Sequence, residues 1–69
     1  MKIYQLTQLG HRLARSTTSS DTSNWRVIYA LDKLGYGTPD QLALQTGLEE
    51  SEVMGALGTL RRKGLIAER

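Results

Sequence analysis

Sixty-nine residues, 39% of them apolar and none a cysteine, make one small domain with a thin core, burying about 60% of its unfolded surface, and they exclude disulfide staples and thiolate metal sites. No run approaches the roughly 20 apolar residues of a membrane span, and "MKIYQLTQLGHR" lacks the apolar stretch of a signal peptide, so no membrane partner and a reducing, cytoplasmic setting are expected. The formal charge of +2 is unevenly spread: residues 1–48 carry five basic and three acidic groups, residues 49–69 four of each, so the basic excess permits a nucleic-acid partner but lies outside the last segment.

"KIYQL" at 2–6 alternates, with Tyr4 and Leu6 on one face and Ile3 and Gln5 on the other, which predicts a short strand. "TQLGHRLAR" follows as a short helix capped by Thr7, its apolar stripe formed by Leu9 and Leu13 with Leu6. Gly10 weakens that helix by about 1 kcal/mol relative to alanine. The nine polar residues 16–24, "STTSSDTSN", read as a loop that ends by capping the next helix through Asp21 or Ser23.

"WRVIYALDKLG" at 25–35 is the clearest helix, with Ile28, Leu31 and Leu34 inward, Val27 and Trp25 beside them, and Gly35 in a left-handed turn. Thr38, Pro39, Asp40 and Gln41 spell an N-cap, a first-turn proline and a capping box. The helix they open carries Leu42 and Ala43 inward and stops near Gly47. A last helix over about 50–63 places Val53, Leu57 and Leu60 on one stripe thickened by Ala56, and Gly64 ends it before "LIAER" enters a strand. That strand needs a partner for its backbone groups. "KIYQL" is the nearest candidate, the alternatives being a longer parent protein or another copy of the chain.

The helices at 39–46 and 50–63 are joined by about three residues, so they cross steeply as a helix-turn-helix, and the helix at 25–35 closes a three-helix core. On "TPDQLALQTGLEESEVMGALGTLRRKGLIAER" the chain resembles the winged helix-turn-helix domains of transcriptional regulators. Leu42, Ala43, Gly47, Leu48, Val53, Leu57, Leu60, Gly64, Leu65 and Ile66 fit the family's pattern. "YQLTQLGHRLA" resembles a second family element, a strand leading into a helix, which follows the wing in many members and comes first here. The resemblance implies a mainly α fold with a small β-sheet. Residues 1–69 would form a single winged-helix domain: an N-terminal strand and helix (1–15), a polar loop (16–24), a trihelical core (25–64) and a truncated or minimal wing strand (65–69).

The resemblance also implies where DNA would be read. Bases face the outer side of the last helix, which here offers Glu50, Ser51, Met54, Gly55 and Gly58, then Thr59 and Arg62. This set is less basic than the family's usual one. Glu49, Glu50 and Glu52 would approach phosphates unfavourably, although a carboxylate can accept from a cytosine amino group. The same acidic first turn and the basic last turn also serve to offset the helix dipole. Gly55 and Gly58 cost the helix about 2 kcal/mol together, which points either to a partner backbone approaching closely or to tolerated imperfection. Candidate phosphate contacts are Thr38, Gln41, Gln45, Thr46 and Arg62, with Arg12, Arg15 and Arg26 forming a positive patch if they converge, and Lys2 in the same half of the chain.

Trp25, Tyr4, Tyr29 and Tyr36 have spacings that suit core or rim positions better than stacking on bases. His11 is the only histidine, without a carboxylate at ligand spacing, so neither a metal nor a cofactor is expected. No acid–base pair or activated nucleophile is visible, so the sequence does not read as an enzyme and suggests no small-molecule substrate. Two functions remain: a regulatory binder of double-stranded DNA, acting as a homodimer because one small module gives limited affinity, or a winged-helix module that binds a protein partner within a larger nucleoprotein or regulatory assembly.

Overall fold

The structure, a computed structural model, describes residues 2–16 and 22–69. In chain order the elements are β1 (Tyr4–Leu6), α1 (Gln8–Ser16), α2 (Ser23–Leu34), α3 (Pro39–Thr46), α4 (Glu50–Arg62) and β2 (Ile66–Glu68). The result is a small, mainly helical domain of four helices with a minor two-stranded antiparallel sheet. Helix α2 is its hub, packing against α1, α3, α4 and β1.

The core follows the apolar periodicity closely in the second half of the chain. Val27, Ile28 and Leu31 of α2 meet Leu42 of α3 and Val53, Ala56, Leu57 and Leu60 of α4, all buried. Ala43, Leu48 and Trp25 pack against this cluster from partly buried positions. The capping box at α3 forms as read: the Thr38 hydroxyl accepts from the Gln41 N–H at 3.3 Å, and the Gln41 side-chain oxygen accepts from the Thr38 N–H at 3.0 Å. Gly47, at φ 75°, then turns the chain left-handed and donates its N–H to the Ala43 carbonyl at 2.9 Å.

"KIYQL" does partner "LIAER". Strands β1 and β2 pair Tyr4 with Glu68, Gln5 with Ala67 and Leu6 with Ile66, and Tyr4, Leu6 and Ile66 face the helices. A further bridge on the other edge of β1 has no sequence signature. There Tyr4 and Gly37 exchange two backbone hydrogen bonds of 2.8 and 2.9 Å. β1 is therefore the inner strand, and the chain between α2 and α3 is tied to the sheet.

The N-terminal half differs from its sequence reading in three places. First, α1 does not seat through Leu9, which is 53% exposed. It seats through Gly10 and Ala14, with Leu13 partly buried. The cause is the close approach of α1 to the backbone leading into β2. The Thr7 N–H donates to the Leu65 carbonyl at 3.0 Å, and the Thr7 hydroxyl donates to the Gly64 carbonyl at 2.7 Å while accepting the Gly10 N–H at 3.2 Å. A Cβ on Gly10 would overlap the Leu65 carbonyl oxygen, so this glycine is required by contact.

Second, α2 begins two residues early, at Ser23, because Thr22 caps it, its hydroxyl accepting the Trp25 N–H at 3.4 Å. Ser23 lies inside the helix, and Asp21, the other expected cap, lies outside the described residues, as does most of the polar loop; Ser16 belongs to α1. Third, Leu34 is exposed and Ala30 takes the inward place. Gly35 ends α2 at φ 88°, turning the chain towards the Gly37 bridge and leaving Leu34 outside.

Candidate nucleic-acid interface

Helix α4 has two faces with opposite fates. Its inner stripe seals the core, and its outer residues Glu50, Ser51, Met54, Gly55 and Gly58 are exposed, with Thr59 half-buried. Among the described residues nothing lies within 4 Å of where a Cβ would stand on Gly55 or Gly58, so no described part of the chain makes the close contact those glycines permit. The Thr59 hydroxyl donates to the Gly55 carbonyl at 3.1 Å, and the Arg62 Nε to the Gly58 carbonyl at 3.3 Å. Both side chains lie back along their own helix.

The acidic start of α4 has a local use. The Glu52 carboxylate accepts the Glu49 N–H at 3.4 Å, satisfying one of the donors a helix start leaves open. At the far end, Arg61 reaches Glu68 of β2 at 3.8 Å and Lys2 reaches the same oxygen at 3.3 Å, while the Tyr4 hydroxyl donates to it at 3.3 Å. Partial desolvation pushes the Glu68 pKa up, but hydrogen bonding from Lys2, the positive charges of Lys2 and Arg61, and the Tyr4 hydroxyl outweigh it and leave the carboxyl below its ordinary value. Arg61 is thus directed at the sheet.

The candidate phosphate contacts other than Arg62 are dispersed over the domain. Thr38 and Gln41 are engaged in the capping box of α3. Arg26, Gln45 and Thr46 come together in a groove of about 290 Å³ between α2 and α3, completed by Tyr29, Ala30 and Lys33. Arg12 lines a different, more apolar groove with Leu9, Leu13, Ser16 and Leu65, so Arg12 and Arg26 do not share one cleft. Arg15 is exposed at the end of α1.

Lys33 was missed by the sequence reading, although it lies seven residues after Arg26 and therefore on the same helical face. Thr46 is held in place: its hydroxyl donates to the Leu42 carbonyl at 2.6 Å and accepts the Leu48 N–H at 3.2 Å. Trp25 and Tyr29 form a tilted aromatic pair with centroids 5.7 Å apart.

Comparison with protein-family models, curated proteins and solved structures finds no match to this chain. Among the described residues there is no cluster of three or more metal-ligating side chains, and no helix is long and apolar enough to cross a membrane. His11 does acquire a carboxylate that spacing could not show, Asp32 of α2, with Nδ1 and Oδ1 3.0 Å apart. It joins α1 to α2 at a partly exposed position.

The surface also carries two large apolar side chains on α3 and α4, of which only Met54 is expected there from helical spacing. Leu44 on α3 is 87% exposed and Met54 on α4 is 47% exposed. Leu44 follows the inward pair Leu42 and Ala43, and a run of three apolar residues on one helix cannot all face the same side.

Proposed function

We propose that the protein binds duplex DNA as a winged helix-turn-helix, with α3 on the backbone and the outer face of α4 in the major groove, and that it acts in transcriptional regulation. One observation carries this reading: α4 is pinned to the core along Val53, Ala56, Leu57 and Leu60, while Glu50, Ser51, Met54, Gly55 and Gly58 on its other side are exposed. A helix about 10–12 Å across with its side chains suits a major groove about 12 Å wide. The two glycines remove side-chain bulk where a groove wall would approach. The tight turn at Gly47 fixes α3 against α4, so the two can engage the duplex as a rigid pair. In this reading the β1–β2 sheet serves as a minimal wing: β2 follows α4 directly, and its partner strand comes from the N-terminal end. Pairing of two copies on neighbouring half-sites would supply the affinity a single small module lacks.

Titration of a labelled duplex at rising salt tests the reading. Affinity should fall steeply as salt increases, because phosphate contacts release counterions. Absence of binding to any duplex at micromolar protein and low salt refutes it.

Leu44 supports a second reading, a winged-helix module that docks on a protein. A leucine left 87% exposed beside a helix with an acidic first turn suits an apolar, basic partner surface. Leu44→Glu separates the two: it abolishes docking on a protein through α3, and it weakens duplex binding only modestly if α4 makes the main contact.

A further inference from the structure

We propose that the apolar groove between α1 and Leu65 receives the outer edge of α3 from a second copy of this chain, with Leu44 seated in the groove and Asp40 beside Arg12. This inference rests on the docking reading of Leu44, gives that reading a partner, and is independent of duplex binding.

Two surfaces of the domain complement each other. The first is a groove of about 470 Å³ lined by Leu9, Leu13 and Leu65, with Arg12 and Ser16 as its polar members. It exists because Gly10 and Ala14 seat α1 on the core and leave Leu9 53% exposed. Arg12 is exposed, and its guanidinium has no hydrogen-bond or ion-pair partner among the described residues. The second surface is the outer edge of α3. Leu44 is 87% exposed there. Asp40, one turn earlier and so on the same side of the helix, is also exposed, and its carboxylate has no partner among the described residues. One surface is apolar and basic, the other apolar and acidic.

A chain does not fill its own groove. No α3 residue lines it, and Leu44 stays exposed. The two surfaces therefore meet between copies, and because they are unlike, the copies join head to tail. Asp40 and Leu44 are separated by roughly 6 Å along the axis of α3. Arg12 lies within one turn of both Leu9 and Leu13 on α1, so the spacings match. Seating Leu44 against Leu9 covers two exposed leucines, and the pairing of Asp40 with Arg12 fixes the direction of approach. The domain measures 27 × 25 × 20 Å, so a contact on one face is small and its affinity low.

The test is the molar mass of the protein by sedimentation velocity over rising concentration, without nucleic acid. The wild type should rise above its monomer mass of 7.7 kDa as the protein approaches about 1 mM, the range of a weak contact. Leu9→Glu and Leu44→Glu both alter exposed positions, so each keeps the fold. Each should weaken association about 10–150-fold, the loss from leaving one leucine unburied. Mixed in equal amounts, the two variants should form a 1:1 complex and nothing larger, since Leu9→Glu retains the leucine of α3 and Leu44→Glu retains the groove. Arg12→Asp should weaken association by up to about 5-fold, and adding Asp40→Arg to it should restore the wild-type behaviour. A wild type that keeps its monomer mass throughout overturns the second-copy assignment without touching docking on a different protein. A Leu44→Glu variant that associates as the wild type does sinks both. A mixture of the two variants that stays monomeric while the wild type associates shows that the head-to-tail pairing is wrong.

Discussion

Replacing Gly10 by alanine tests the packing of the N-terminal half, because helix propensity and contact predict opposite signs. Propensity alone favours alanine by about 1 kcal/mol. The structure opposes it, since the new methyl would overlap the Leu65 carbonyl oxygen, a backbone atom that cannot swing aside as a side-chain tip can. Forcing extra volume into a packed site costs about 1–3 kcal/mol. Moving α1 away also strains the Thr7 bonds to Leu65 and Gly64, each worth about 1 kcal/mol. The net expectation is a loss of about 2 kcal/mol, a large share of the roughly 3–10 kcal/mol available to a chain of this length. Thermal unfolding followed by circular dichroism should show a melting temperature lower by roughly 8–16 °C. Gly55→Ala and Gly58→Ala are the internal contrast. Their surroundings are open, so each should gain about 1 kcal/mol and melt roughly 4–8 °C higher. A Gly10→Ala protein as stable as the wild type would refute the close seating of α1.

Leu57→Ala removes a side chain buried between α4 and α2 and should cost about 2–5 kcal/mol, read as a lower urea midpoint with an unchanged slope. Thr38→Ala removes half of the capping box and should cost about 1 kcal/mol, again visible by denaturant titration. The Glu68 carboxyl has a folded-state pKa below its ordinary value, so its pairing with Lys2, Arg61 and Tyr4 stabilises the protein above the unfolded-state pKa. That contribution is lost as pH falls through the depressed folded value. A carboxyl-carbon NMR titration should place the Glu68 midpoint below the ordinary glutamate value, and Glu68→Gln should remove that part of the acid dependence of stability. A Glu68 midpoint at or above the ordinary value would contradict the ion-pair geometry.

The second half of the chain was legible because its signals are local. The capping box of Thr38 and Gln41, the turn at Gly47 and the stripe Val53, Leu57, Leu60 each depend on residues a few positions apart, and all appear as read. The β1–β2 pairing was also legible, because an orphan strand needs a partner and one alternating segment was available. The inward face of α1 was not. Leu9 and Leu13 outrank Gly10 and Ala14 in hydrophobicity, but the deciding contact is with the Leu65 backbone, 55 residues away in sequence. The Tyr4–Gly37 bridge was hidden for the same reason, since a lone glycine between two helices carries no strand signature.

The candidate interface divides in the same way. The outward set on α4 follows from its inward stripe by helical periodicity, so Glu50, Ser51, Met54, Gly55 and Gly58 were readable. The meeting of Arg26, Lys33 and Gln45 in one groove depends on how α2 crosses α3, and no sequence spacing encodes that crossing. The separation of Arg12 from Arg26 into different grooves likewise became visible only once α1 was seated.

Amide chemical shifts of the labelled protein, followed as an unlabelled duplex is added at low salt, test the central claim most directly. The largest changes should fall on Glu50, Ser51, Met54, Gly55 and Gly58. Changes confined to α1 and β2, or none with duplex in excess, would contradict it.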